Sequence, residues 1–587
     1  MKIKLVNDKI KENYARELLR ERGIENVEEF LHPTEKNLQD FSALDNIAEG
    51  CKLIKDALKL KEEKGELKVG LIVDCDVDGF TSSSIIYQYL EKVGFKDCIH
   101  YYIHEGKQHG LEDQYEKIMD DELDLLIVPD AGSNDGIYAE KLSCPILILD
   151  HHIIEEKSVF PNNMVVINNQ ASVNYKNKAL SGAGVVYQFC RALDEEFGVD
   201  YAYDFIDLAA LGICGDMMSG LEIENQYFWK EGFSHLKNFF ILSIARKQAY
   251  SITGNQMASD EEIIESLDPT TIAFYIVPMI NAMIRVGTMP EKERLFIAFI
   301  DGKRLIPCNK RGAKGTLEMA AVESCRECTN ARNHQNKAKE KAVESLEYKI
   351  FKHDLLENKI LFIRLDDDDD FPAALNGLVA MQLSTKYKRP TIVARLNDNG
   401  FIRGSARGMN NSALTSFKNY LNSTGLFEYT AGHDNAFGIS IPNLMLHTLM
   451  QNANQDLEKY DFGEDFYDVN FIRNSMDEDL PDLIATLYQY RHIWSQQNNE
   501  PLIYIQDINL TKEDIQIMGR NQDTIKFVKN GISYIKFFGK EMIEKLEGLD
   551  EIKIEVIGTA NINSFRGNET PQITIKAYEI HDGYLEF

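Results

Sequence analysis

Residues 69–79 read Val69-Gly70-Leu71-Ile72-Val73-Asp74-Cys75-Asp76-Val77-Asp78-Gly79. A short apolar run bounded in this way predicts a buried strand, and it ends directly in alternating carboxylates. The arrangement recurs twice. Leu125-Leu126-Ile127-Val128 leads into Asp130, and Ile146-Leu147-Ile148-Leu149 leads into Asp150-His151-His152. Buried runs of this kind belong to parallel sheets, where ligands bind beyond the carboxyl ends of the strands. Acids and histidines at three strand ends therefore predict a metal centre along one sheet edge. An Asp-x-Asp-x-Asp-Gly segment also opens calcium loops, but the later glutamate and flanking helices of such a loop are missing here.

Two divalent cations about 3.5–4 Å apart can clamp a phosphate and activate a water. Such a centre needs one carboxylate shared by both cations. Asp74 and Asp76 stand two apart, so a turn rather than a regular strand must aim both inward. Asp130, from a neighbouring strand end, is the natural bridge. His151 adds nitrogen, which with carboxylates favours manganese over calcium and tolerates magnesium. Read singly, any of these acids is equally a helix or turn cap.

At 587 residues the chain is too long for one core. With 44% apolar and 27% charged residues its composition is that of a globular protein. No apolar stretch is read as reaching the roughly 18 residues needed to span a membrane, and the N-terminus lacks an apolar signal core. Nine cysteines are scattered; Cys325 and Cys328 form a lone CxxC, read as reduced helix cysteines or, less simply, half of a zinc site. These features predict a cytoplasmic protein. The net charge of −29 sits awkwardly with nucleic-acid binding, which usually leaves a basic footprint, so any such binding must be confined to a local groove. The lysine- and arginine-rich residues between 303 and 349 either line such a groove or form a solvated helix face.

Residues 1 to 60 read as helical. From 66 to 220 strands alternate with helices, one of them capped by Thr81-Ser82-Ser83-Ser84 and running to Lys92, another over 204–213 that delivers Asp216. Residues 317–357 suit a long connecting helix. A second α/β pattern covers 359–445, and the last 85 residues alternate in short strands expected to close into a small β-barrel. The run Asp366 to Asp370 reads as a solvated loop.

The Asp74–Gly79 segment, Asp130, Asp150-His151-His152 and Gly215-Asp216 resemble the successive motifs of the DHH phosphoesterase superfamily. The wider chain resembles its RecJ-type exonucleases: Leu18 to Ile24 and Phe30-Leu31-His32-Pro33, then Leu180 to Val185, Pro278 to Arg285, Gly404 to Gly408, Ala431 to Gly438, and the tail from Asn563 to Gln572. The resemblance is essentially full length and keeps the motif order. It implies an α/β protein with a helical lead-in at 1–60, a parallel-sheet DHH domain at 61–300, a connecting helical segment at 301–358 and a second α/β DHH-associated domain at 359–450. An acidic helical linker at 451–500 and an OB-like β-barrel at 501–587 would follow.

The resemblance further implies metal ligation by Asp74, Asp76, Asp130, His151 and Asp216, with Asp150 as ligand or support. His152 would contact the scissile phosphate, supported by Asn281 and Arg285. Ser405, Arg407, Gly432 and His433 would form the substrate-binding wall of the associated domain. The family's histidine or glycine before the first motif is replaced by Ile72 and Val73, and its phosphate-binding arginine by a loop in which His104 or Lys107 stands.

The implied activity is 5′-to-3′ hydrolysis of single-stranded DNA with two Mn2+ or Mg2+ ions, by a monomer served by a single-strand-binding protein or helicase. An oligoribonuclease or nucleotide phosphodiesterase with the same core, and a non-catalytic nucleic-acid-binding scaffold, remain the alternatives. Phe527, Tyr534, Phe537 and Phe565 are candidates for base stacking in the tail, although each reads more readily as core than as platform.

Overall fold

The computed structural model describes residues 2–6, 13–106, 108–366, 368–369, 371–519, 521–565 and 568–582. Two compact units result, and neither is contiguous. One comprises Arg22–Asn333 with Arg491–Asn499; the other comprises Met1–Glu21, His334–Tyr490 and Glu500–Phe587.

The first unit is built on five parallel strands: β1 (Val69–Val73), β2 (Ile99–Ile103), β3 (Leu125–Pro129), β4 (Ile146–Asp150) and β5 (Met164–Asn168), in the order β2-β1-β3-β4-β5. The apolar runs are continuous because both faces are covered. Leu71, Val73, Ile127, Leu147 and Leu149 enter one core cluster, while Ile72, Leu126, Val128, Ile146 and Ile148 enter a second on the opposite face. Since β1, β3 and β4 are neighbours, the residues that follow them are brought side by side.

The helix after β1, α1 (Val77–Leu90), begins earlier than the sequence suggests. Asp76, not a serine, is its N-cap and accepts from the Gly79 N–H at 3.0 Å. All four hydroxyls of the serine-threonine run turn back to carbonyls instead: Thr81 to Val77, Ser82 to Asp78, Ser83 to Ile72 and Ser84 to Phe80. The α-helix ends at Leu90, and Glu91–Phe95 forms a wider turn through Gly94 at φ 119°. The helices α2 (Gly182–Phe197) and α3 (Ile206–Gly215) pack on α1. The segment Pro269–Val286 is long and apolar enough to pass for a membrane span, contrary to expectation. It is a core element of this unit, burying Ile276, Ile280, Met283 and Ile284, and its last part is α4 (Val277–Val286).

A single 33-residue helix, α5 (Ala320–Lys352), contains the boundary between the units. Cys325 and Cys328 are buried on it as free thiols, outside any metal-capable group among the described residues.

The second unit contains a mixed sheet of β6 (Leu361–Leu365), β7 (Thr391–Leu396), β8 (Phe401–Arg407), β9 (Tyr429–His433) and β10 (Ala436–Pro442), in the order β9-β10-β8-β7-β6. The aspartate run is more than a solvated loop: Asp366 and Asp369 both take hydrogen bonds from Lys349, at 2.8 and 2.6 Å.

The tail is an OB-like sheet of seven strands: β11 (Phe471–Asn474), β12 (Ile503–Thr511), β13 (Gln516–Met518), β14 (Thr524–Lys529), β15 (Ile532–Lys536), β16 (Glu551–Phe565) and β17 (Asn568–Asp582). Its order is β11-β12-β16-β17-β15-β14-β13. The expected closed barrel does not form among the described residues, because the free edge of β12 is taken by β11 in parallel register. Phe527 and Tyr534 are core residues stacked on each other at 5.0 Å, not a platform. Phe537 is half exposed and Phe538 is 88% exposed; the Phe565 side chain lies outside what is described.

Candidate metal centre

The turn after β1 is shaped by one close approach. A Cβ on Gly79 would lie 2.6 Å from the Asp74 Cβ, so only glycine lets the first turn of α1 fold over Asp74. Asp74 and Asp76 are thereby both aimed at Asp130, and ligand atoms of the three lie within 4.8 Å of one another.

Asp78, in the first turn of α1, is not among the sequence-derived candidates. It is 1% exposed and accepts from the Ser181 hydroxyl at 2.9 Å and from the backbone N–H groups of Gly182 and Ala183 at 2.7 and 3.1 Å. An anion at the start of α2 is favoured by the unpaired N–H groups there. These bonds account for the Leu180-Ser181-Gly182-Ala183 block. Gly182 has a second task, since a Cβ there would fall 2.3 Å from Asp130 Oδ1.

Asp130 follows β3 at φ 63°, in the left-handed region where Asp is among the few side chains tolerated. The His151 Nε2 stands 3.2 Å from Asp130 Oδ1, 3.5 Å from Asp216 Oδ2 and 3.9 Å from Asp78 Oδ2. Asp78, His151 and Asp216 form a second group within ligand range, with Asp216 delivered as the C-cap of α3. Two three-residue groups thus meet at Asp130 and His151.

Asp150 plays a different part. Its carboxylate takes four hydrogen bonds, from the N–H groups of Ser133, His151 and His152 and from the His152 ring at 2.8 Å. It therefore shapes the Asp-His-His turn and orients His152. Burial alone would raise Asp150, but the hydrogen bond and the charge of His152 outweigh it and hold it below the ordinary carboxylate range.

The electrostatics call for cations. Burial, reinforced by neighbouring carboxylates, pushes Asp130 and Asp216 well above the usual range and Asp76 up to about 6. Burial also lowers His151, which keeps its imidazole neutral and able to ligate. Asp74 Oδ1 and Asp130 Oδ1 are buried without a hydrogen-bond partner. Buried polar oxygens left this way are costly, and hard dications at this point would satisfy them. The donor set, five carboxylates and one imidazole, fits Mn2+ or Mg2+.

Around this centre, α4 presents Asn281 and Arg285 on one face. The Asn281 Oδ1 is buried and unpartnered, and Arg285 is lowered by burial against the opposing attraction of Asp76. His104 is turned inward, buried beside Asp113 and facing Asp74, rather than outward as a phosphate contact. His109, which no sequence pattern singles out, has its Nδ1 2.6 Å from Asp74 Oδ2. Lys107 lies outside the described residues.

Ser405, Arg407, Gly432 and His433 belong to the other unit. There Arg407, Ala436 and His433 form one row across β8, β10 and β9, and Ser405, Gly438 and Ala431 the next row on the same face. Small residues in the middle strand leave that face open between Ser405, Arg407 and His433. Gly377 leaves room for the guanidinium, as a Cβ there would meet Arg407 Nη2 at 2.4 Å. Gly432, at φ 128°, needs to be glycine, because a Cβ would crowd the Ala436 carbonyl at 2.7 Å.

Residues 68–213 match the DHH family, N-terminal domain, and residues 476–577 match the RecJ OB domain. A protein of Bacillus subtilis (strain 168) named as a candidate SPbeta prophage-derived single-strand DNA-specific exonuclease, YorK, is 33% identical over 581 residues, covering 96% of this chain and 95% of its own. The single-stranded-DNA-specific exonuclease RecJ of the same organism is 23% identical over 583 residues, covering 97% of this chain and 68% of its own. The crystal structure of RecJ in complex with Mn2+ from Thermus thermophilus shares the fold, with a TM-score of 0.70 at 17% identity over 98% of this chain and 79% of that one.

Proposed function

Because this chain belongs to the RecJ-type single-stranded-DNA-specific exonucleases of the DHH family, we propose that it hydrolyses single-stranded DNA from the 5′ end with two Mn2+ or Mg2+ ions. The observation that carries this reading is the crowding of Asp74, Asp76, Asp78, Asp130 and Asp216 about the neutral His151, with oxygens of Asp74 and Asp130 left unsatisfied. Asp74, Asp76 and Asp130 would hold one cation; Asp78, His151 and Asp216 the other, with Asp130 shared. When bound, such a pair clamps phosphate oxygens and lowers the pKa of water.

The remaining roles fall to the chain's own side chains. His152 is half exposed, and the Asp150 hydrogen bond overrides the opposing effect of its partial burial to push it up to about 9. It therefore carries a proton at neutral pH and donates it in a hydrogen bond to the scissile phosphate. Asn281 and Arg285 orient the same group. Hydrolysis breaks the P–O3′ bond, so each cut leaves a 5′ phosphate on the remaining strand. Ser405, Arg407 and His433 form the anion-binding wall that recognises this end. Single-stranded DNA is the substrate, a single-strand-binding protein or helicase its supplier. The protein acts as a cytoplasmic monomer, in keeping with nine buried cysteines, all free.

Digestion of end-labelled single-stranded DNA, duplex DNA and short RNA, side by side with Mn2+, tests the reading. Mononucleotide release from the 5′ end of single-stranded DNA is expected. Preference for short RNA, or release from the 3′ end, would overturn it.

A further inference from the structure

Residues 301–319 carry five cations, Lys303, Arg304, Lys310, Arg311 and Lys314, against two acids, Asp301 and Glu318, in a chain of net charge −29. They form a hairpin in which Leu305–Pro307 pairs antiparallel with Leu317–Met319, directly before α5 and inside the unit that carries the metal centre. All five cations are exposed, and none has an ion-pair partner among the described residues. Other surface cations of the same unit are matched to acids: Lys55 to Glu196, Lys64 to Asp124, and both Lys92 and Lys237 to Asp204. The positive charge of the hairpin is therefore left facing outward.

The tip consists of two successive β-turns of the same design. The Ala313 N–H donates to the Lys310 carbonyl at 3.0 Å, and the Thr316 N–H to the Ala313 carbonyl at 3.1 Å. Each turn puts a basic residue second, Arg311 and Lys314, and a glycine third, Gly312 at φ 86° and Gly315 at φ 89°. A Cβ on either glycine would meet nothing within 4 Å, so the turn geometry rather than packing calls for glycine. The backbone N–H groups of Arg311, Gly312 and Lys314 take no acceptor among the described residues. The root is held firmly. Glu323, on α5 and 1% exposed, accepts from the Asn309 N–H at 2.7 Å and pairs with Arg326. Cations and free amides presented on a fixed support suit phosphate oxygens.

One face of the hairpin is apolar. Leu305 and Met319 stand opposite each other, as do Pro307 and Leu317, all on the side away from buried Ile306. Leu305 is 60% and Leu317 64% exposed. Unpaired bases offer such a face a partner, which a duplex keeps stacked inside. The first turns of α5 lead from here toward the metal centre. Arg332 is close enough to Arg285 for their charges to repel, and Arg285 in turn feels Asp76. From Glu323 to Arg332 the helix rises about 14 Å, which a stacked strand at about 3.4 Å per nucleotide covers in about four nucleotides.

We propose that this hairpin is a second grip on single-stranded DNA, in which Lys310, Arg311 and Lys314 hold backbone phosphates several nucleotides from the bond being cut. It rests on the exonuclease reading and extends it from the scissile phosphate to the trailing strand. A single strand supplies both phosphates for the tip and open bases for Leu305 and Leu317.

The test is fluorescence anisotropy with the inactive full-length Asp130→Asn protein and a long single strand, over a salt series at fixed Mg2+. Lys310→Ala, Arg311→Ala and Lys314→Ala together should weaken binding at least tenfold. The log–log salt slope should become shallower by about two, since each phosphate contact on a single strand contributes about 0.7. Lys310→Arg with Lys314→Arg should keep the wild-type affinity. The loss should grow as the strand lengthens past about four nucleotides. An unchanged affinity and slope would overturn the proposal and leave the hairpin to an acidic protein segment. So would an equal loss on a dinucleotide, or a greater loss on blunt duplex than on single strand. Lys55→Ala, Lys92→Ala and Lys237→Ala remove the same charge from paired sites; a matching loss there would reduce the effect to net charge and overturn the proposal too. Binding is read apart from cleavage, so a wild type that binds through the hairpin without cutting would count against the exonuclease reading alone.

Discussion

The Ser181 hydroxyl reaches across 103 positions of sequence to donate a 2.9 Å hydrogen bond to Asp78. The bond ties the first turn of α1 to the first turn of α2 and fixes a carboxylate beside His151. Asp78→Asn keeps the shape but removes the anion. Mn2+ affinity, measured by calorimetry, is expected to fall at least tenfold and exonuclease rate by more. An affinity within twofold of wild type would show that Asp78 only caps the helix.

Asp130 is the shared carboxylate of the proposed pair of cations. Asp130→Asn is the cleaner variant than alanine, because asparagine also tolerates the left-handed backbone at this position. Less than a tenth of the wild-type rate should remain, with an unchanged circular dichroism spectrum. Retention of more than that would remove Asp130 from the bridging role.

Gly182→Ala tests the close approach between α2 and Asp130. A methyl group 2.3 Å from the carboxylate oxygen forces one of them to move. Activity should drop more than tenfold while Tm shifts by only a few degrees, since the strain falls on the centre rather than the core. Full activity would mean that Asp130 has freedom to yield.

Of the stacking candidates read from the sequence, Phe527 and Tyr534 are buried and Phe537 is exposed; its exposed neighbour Phe538 joins it. Base stacking is worth about 1–3 kcal/mol per base. Phe537→Ala with Phe538→Ala should therefore weaken binding of a long single strand several-fold to over a hundredfold, by fluorescence anisotropy at fixed salt. Cleavage of a very short strand should change less. Equal losses on both would indicate a structural role.

Arg407 and His433 share a row with only Ala436 between them. Arg407→Ala should reduce the preference for 5′-phosphorylated over 5′-hydroxyl ends in competition assays, with Mn2+ affinity unaltered. Equal loss on both ends would reject the anion wall.

The sheet edge is legible in the sequence because a strand buried on both faces leaves an uninterrupted apolar run, and the residue after it must stand at the edge. That logic locates Asp74, Asp130 and His151 without any long-range information. Asp78 sits in the same six residues and escapes it, since its importance depends on Ser181 and Gly182, which no local pattern connects to it. His109 is harder still: it lies in an irregular loop, where no periodicity assigns a direction to a side chain. The start of α1 is ambiguous in sequence because Asp76 and the hydroxyls of Thr81 to Ser84 are all good N-cap chemistry. Asp76 takes the cap, and all four hydroxyls turn back to carbonyls. Barrel closure fails for a related reason, as β11 comes from a segment that reads as a helical linker.

The short return of Arg491–Asn499 to the first unit has a consequence for synthesis. Gly220 donates its N–H to the Gln496 carbonyl at 2.8 Å, and the Gln226 side chain donates to the Ile493 carbonyl at 3.0 Å. A ribosome that has made all of 22–333 has therefore not yet supplied these partners. The unit that carries the metal centre must wait until 334–490 have been translated before its last strap emerges, so a nascent chain can hold every ligand of the centre and still be incomplete.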